Sequence, residues 1–137
     1  MTNRATGPFD VTITPQGPDL PDAPMLGRMS IDKQYHGDLE ATAIGQMLTA
    51  GTDVKASGAY VAVERVTGAL NGRQGTFLLH HRGLMTRGTP DLSISVVPDS
   101  GTGALTGLTG TMEIVIAPGG KHSYDSSTPF PTRIAFA

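Results

Sequence analysis

The chain has no cysteine, few aromatic residues, a modest charged fraction and no long apolar run. Each shortage removes a class of protein. Without cysteine there is no disulfide framework and no thiolate metal site, which favours a reducing compartment. No segment approaches the roughly 20 apolar residues of a membrane-spanning helix. The opening Met-Thr-Asn-Arg-Ala-Thr-Gly-Pro-Phe also lacks the apolar core of a signal peptide. A soluble, cytoplasmic protein is the expectation. The ten Lys and Arg residues are scattered and the formal charge is −2, so no basic stripe marks a nucleic-acid surface. Neither Gly-x-Ser-x-Gly nor His-Glu-x-x-His occurs, and Gly101, Gly103, Gly107 and Gly110 form no strand-to-helix phosphate loop. Ordinary hydrolase and nucleotide chemistry have no support.

What is present is glycine and proline: 18 and 10 in 137 residues. That profile favours many short strands over helices, in a single domain spanning residues 1–137. Phe9, Val11 and Ile13 alternate with polar residues as a first strand. Pro15, Pro18, Pro21 and Pro24, with Asp19 and Asp22, then make residues 15–24 a loop. The stretch from Arg28 to about Ala50 is too long for one straight strand of a small barrel, and Gly37 and Gly45 are candidate bends. A helix over Asp38 to Leu48 competes for part of it. Residues 51–58 form a loop, and Tyr60 to Gly83 reads as two strands joined at Asn71-Gly72. Leu92 to Val97, Met112 to Ile116, Lys121 to Tyr124 and Arg133 to Phe136 complete a set of about eight strands. Turn signals every 8 to 12 residues and tight sequential connections predict an all-β fold, an eight-stranded antiparallel closed β-barrel, with a sandwich as the alternative.

Asn-Gly between two β-rich runs is the strongest short-range hairpin signal, because both central residues of a type I′ turn need φ > 0. With Leu70 opposite Arg73, Glu64 faces Leu79, Val66 faces Phe77, Ala62 faces His81 and Tyr60 faces Gly83. These residues share one face. It is the more apolar face and is assigned to the interior, where Glu64 and His81 become diagonal neighbours. A three-residue turn would instead set His80 opposite Glu64, so the choice of histidine depends on register. A carboxylate in an apolar cavity should have a raised pKa, partly countered by a nearby imidazole. Such a pair could act as general base and acid, or could be a structural pair satisfying itself. Tyr60, Phe77 and Leu79 on the same face are candidate ligand contacts. His36, Asp38 and Glu40 could hold a metal, but an exposed polar strand is the better reading. No metal and no cofactor are expected. His122 and Tyr124 could close a cavity or cap a barrel mouth.

Six segments carry a resemblance to a known family. They are Arg28-Met-Ser-Ile-Asp-Lys, Gly37-Asp-Leu-Glu-Ala-Thr with Gln46-Met-Leu, Tyr60-Val-Ala-Val-Glu-Arg-Val-Thr-Gly, Gly75-Thr-Phe-Leu-Leu-His-His, Val97-Pro-Asp-Ser-Gly-Thr-Gly and Gly120-Lys-His-Ser-Tyr. Together they resemble the bacterial DUF3224 family, which is similar to eight-stranded barrels of the allene oxide cyclase type, a fold shared with dirigent proteins. The resemblance implies an oligomer, often a trimer, and a cavity that steers a cyclisation with few polar groups. It implies motif positions at Glu64 and His81, and at Glu40, His122 and Tyr124. Residues 126–137 depart from the family pattern. The functional expectation is a barrel that binds a small, mostly apolar or polyketide-like molecule. Its action would be that of a cofactor-independent isomerase or cyclase with Glu64 and His81 as catalytic residues, and Tyr60, Phe77, Leu79, Glu40 and Tyr124 as ligand contacts. The alternative is a non-catalytic ligand-binding or oligomeric scaffold barrel. Neither nucleic acid nor membrane is an expected partner.

Overall fold

The computed structural model describes residues 2–17, 20–116 and 122–129. Its strands are β1 (Thr2–Pro15), β2 (Leu26–Tyr35), β3 (Leu39–Gly51), β4 (Gly58–Leu70), β5 (Arg73–Thr86), β6 (Thr89–Val96), β7 (Thr111–Ile116) and β8 (His122–Pro129). Each pairs antiparallel with its sequence neighbours, and β1 also pairs with β8, closing the barrel. The alternation read from the sequence governs the wall. In β4, Ala62, Glu64 and Val66 are buried, while Val61, Val63 and Arg65 between them are exposed. No described helix is long and apolar enough to cross a membrane.

The central hairpin has the expected register: Leu70 pairs with Arg73, Glu64 with Leu79 and Ala62 with His81. Asn71 and Gly72 have φ of 49° and 81°, the left-handed values a two-residue hairpin turn requires. A second such turn, Arg87-Gly88 with φ of 47° and 88°, joins β5 to β6 and carried no comparable sequence signal. Ser57 Oγ steadies it by accepting from the Arg87 N–H at 2.9 Å. The long stretch 28–50 divides into two strands. Gly37 is the centre of a full reversal, and no helix forms over 38–48 because alternate residues of β3 are drawn inward. Gly45 stays within β3, where a Cβ would stand 2.3 Å from the Val63 carbonyl oxygen and 2.9 Å from Glu64 Cβ. Its lack of a side chain lets β3 close on β4 beside Glu64. β1 is longer than the first strand read from sequence, and β8 runs through residues 126–129. The strand expected over 133–136 lies outside the described residues.

The interior is unequal along its length. At the end of the barrel carrying the 36–38 and 71–72 turns, Tyr35, Leu39, Leu70, Phe77 and Tyr124 are fully buried. The connection between β6 and β7 folds across this end and inserts Leu105 and Leu108 into the same cluster. It is tied to β5 by Thr102 N–H to the Thr76 carbonyl at 2.8 Å and Val97 N–H to the Leu78 carbonyl at 2.9 Å. The other end carries the 16–25, 52–57 and 87–88 connections and holds a cavity.

Candidate ligand-binding site

A cavity of about 490 Å³ occupies the open end of the barrel, within the range of small-molecule sites. Phe9, Val11, Ile31, Met47, Leu92 and Ile114 supply much of its wall, with Tyr60 on one side and Met85, Pro90 and Asp91 towards the rim. At its floor lie Lys33 and His81, 8% and 3% exposed. The alternation that points Ile31 and Tyr35 inward carries Lys33 with them.

Beneath the floor is Glu64, 2% exposed. Its Oε2 lies 2.9 Å from Lys33 Nζ and 2.8 Å from His81 Nε2. Its Oε1 accepts a very short hydrogen bond from the Tyr35 hydroxyl. Lys33 Nζ also reaches the Tyr35 hydroxyl oxygen at 3.4 Å, and stands 5.2 Å from the Phe9 ring centre, where the ring face stabilises a cation. The His81 contact is close enough for a hydrogen bond. The ring N–H, however, is not aligned with Oε2, and Nε2 has no well-directed partner among the described residues.

Burial by itself pushes the Glu64 carboxyl up, but the His81 ring, the Lys33 ammonium and the Tyr35 hydroxyl together hold it down at about 2. The expectation of a raised pKa is thereby corrected: opposite charge and hydrogen bonding outweigh desolvation. Burial and then the Glu64 charge push the Tyr60 hydroxyl up to about 12, and the same two causes, with the hydrogen bond to Glu64, raise the Tyr35 hydroxyl well above its ordinary value. Both phenols are neutral donors at physiological pH. Glu64 is a fixed anion whose two oxygens are already engaged, and the polar residues lining the cavity are Lys33 and His81 at the floor together with Thr49, Tyr60 and Asp91.

The residues singled out by sequence divide between two places. Glu64, His81 and Tyr60 gather at the cavity floor and wall. Phe77 and Leu79 share their sheet face but lie towards the filled end, in the packed core and off the cavity wall, because the barrel interior is already occupied at their level. Tyr124 also belongs to the filled end. Its hydroxyl accepts from the Leu39 N–H at 2.7 Å and donates to the His36 carbonyl at 2.7 Å, so it fastens the 36–38 turn. Glu40 points outward and is exposed. Its Oε1 accepts from the Gly37 N–H at 2.8 Å, and its Oε2 stands 3.7 Å from His36 Nδ1. His80 is on the outer face. Among the described residues no group of three His, Asp or Glu side chains is placed to hold a metal. The residues that sequence reasoning missed are Lys33 and Tyr35, and the signal was present: a lysine at the middle of the same-face series Ile31, Lys33, Tyr35.

The fold and site together define a class: a closed antiparallel barrel, plugged at one end and open at the other to an apolar cavity over a buried charge cluster. The chain belongs to the DUF3224 family, described as proteins of unknown function, whose pattern matches residues 5–127. It is also similar to a protein of unknown function from the DUF3224 family of Shewanella oneidensis MR-1, known from a crystal structure. The two share 47% identity and superpose with a TM-score of 0.89 over 96% of this chain and 98% of that one. No curated protein matches.

Proposed function

We propose that this barrel binds a small, mostly apolar molecule in its open half. The observation that carries this reading is the cavity itself, walled by aliphatic and aromatic side chains and converging on a few polar groups, as ligand sites do. In this reading Glu64 is the buried counter-ion that holds Lys33 and His81 in place. A cofactor-independent isomerase or cyclase is supported less well. It needs a base that faces the ligand with a pKa near working pH, and Glu64 is held at about 2 behind Lys33 and His81. A fold expected from resemblance to allene oxide cyclases does not by itself carry an activity.

Titration with the neutral fluorophore N-phenyl-1-naphthylamine tests the binding reading. Saturable binding to the wild type is expected, and Met47→Trp, which puts a bulky indole ring in place of a thioether chain, should weaken it at least tenfold while the protein stays folded. Undiminished binding to that variant would place the probe elsewhere and overturn the assignment.

A further inference from the structure

The floor of the cavity is chemically one-sided. Lys33 brings an ammonium, which has three donors and no acceptor. Two of these donors have oxygen partners, at 2.9 Å and 3.4 Å; beyond them Nζ has the aromatic faces of Phe9 and Tyr35. The carboxylate that partners Lys33 is shared, since Glu64 Oε2 also lies against His81 and Oε1 is taken by Tyr35. His81 Nε2 is turned to Glu64 Oε2 at 2.8 Å beneath the floor, so the donor the floor offers a ligand is the Lys33 ammonium. A ligand group able to accept from Lys33 completes that ammonium's set of partners.

We propose that the ligand is an organic acid bound carboxylate-first, its head group set against Lys33 Nζ and its apolar body lying along Val11, Ile31, Met47 and Ile114. The inference rests on the reading above that the cavity takes a small apolar molecule, and adds which end of that molecule goes in first and what it carries. An amine would meet Lys33 as a like charge. An alcohol would bring one weak acceptor to that ammonium. A carboxylate brings two acceptor oxygens and a charge opposite to that of Lys33. Charge-assisted hydrogen bonds of this type are the stronger ones.

Competition against bound N-phenyl-1-naphthylamine at neutral pH, with decanoic acid, 1-decanol and decylamine as probes of equal chain length, tests the proposal. Decanoic acid is expected to displace the fluorophore at a concentration at least tenfold below that of decanol, with decylamine weaker than both. Lys33→Met should lose that preference, so that acid and alcohol displace the fluorophore at similar concentrations. Glu64→Gln works in the opposite direction: it frees Lys33 from its counter-charge and should tighten decanoic acid several-fold. This second variant also keeps the test open if Lys33→Met fails to fold. Equal displacement by acid and alcohol, or weakened acid binding in Glu64→Gln, would overturn the carboxylate assignment and leave the binding reading standing. Failure of the fluorophore and all three competitors to bind would overturn both.

Discussion

One end of this barrel is a packed core and the other is a container, though the same eight strands build both. At the 71–72 end, Tyr35, Phe77, Leu39, Leu70 and Tyr124 fill the bore, and Leu105 and Leu108 close it from the β6–β7 connection. Small inward residues occur here too, but their space is used: a Cβ on Gly75 would stand 2.1 Å from the Thr102 carbonyl oxygen. At the opposite end Gly58, Ala59, Gly83 and Thr49 leave the wall thin around the cavity. There the 87–88 connection is a tight turn with no residues to spare for a plug. The course of the β6–β7 connection, which lays Leu105 and Leu108 into the bore, decides more than the strands which half is core. The boundary between the halves is where Glu64 sits with its three partners.

The comparison breaks most readily through core deletion. Phe77→Ala should cost about 3–5 kcal/mol, as large-to-small changes in packed interiors do, whereas Met47→Ala on the cavity wall should cost less than about 1 kcal/mol. Denaturant unfolding of the two variants measures the contrast, and equal losses would show that the open half is packed as tightly as the filled one.

The boundary itself should be visible in acid. The folded Glu64 carboxyl at about 2 lies below its ordinary 4.5, so the native state holds the proton less tightly than the unfolded chain. Its contribution is therefore complete above about pH 4.5 and disappears as pH falls through about 2. The groups facing the carboxylate are Lys33, Tyr35, His81 and Tyr60. A depression of this size corresponds to a contribution on the order of 3 kcal/mol. Glu64→Gln should be the less stable protein at neutral pH, because it leaves Lys33 buried without its partner. The wild type should lose this advantage on acidification. Stability curves that run parallel between pH 5 and pH 2 would contradict the ionised assignment.

A smaller effect separates the ends by location. Tyr124→Phe removes the hydroxyl that joins the Leu39 N–H to the His36 carbonyl, and should cost about 1–2 kcal/mol. Amide exchange at Leu39 should quicken, while the affinity of the cavity for N-phenyl-1-naphthylamine stays unchanged. A fall in that affinity would mean that the two ends are coupled.

Much of the wall was legible in the amino-acid order. Asn71-Gly72 set the hairpin register through backbone sterics, and strict alternation then placed Glu64 and His81 inward and His80 outward. The reversal at Gly37 was harder to read, since a glycine in a β-rich stretch serves equally as a bend or a turn. Lys33 escaped because its partner is 31 residues away and on a strand that is not its neighbour. Ala43 and Gly45 on the intervening β3 leave the space across which Lys33 and Tyr35 reach Glu64. Phe77 and Leu79 share the face of His81 but lie nearer the other end, and position along the bore is not encoded by period-two alternation.

The sequence by itself determined the β class, the central hairpin with its register, and the face on which Glu64 and His81 lie, because these follow from local sterics and a two-residue repeat. Only the tertiary structure decided which end would be plugged, that Lys33 and Tyr35 would converge with His81 on one carboxylate, and that the carboxylate would stay ionised. Those outcomes depend on closure of the barrel and on the balance between burial and opposite charge, and neither is a property of any single strand.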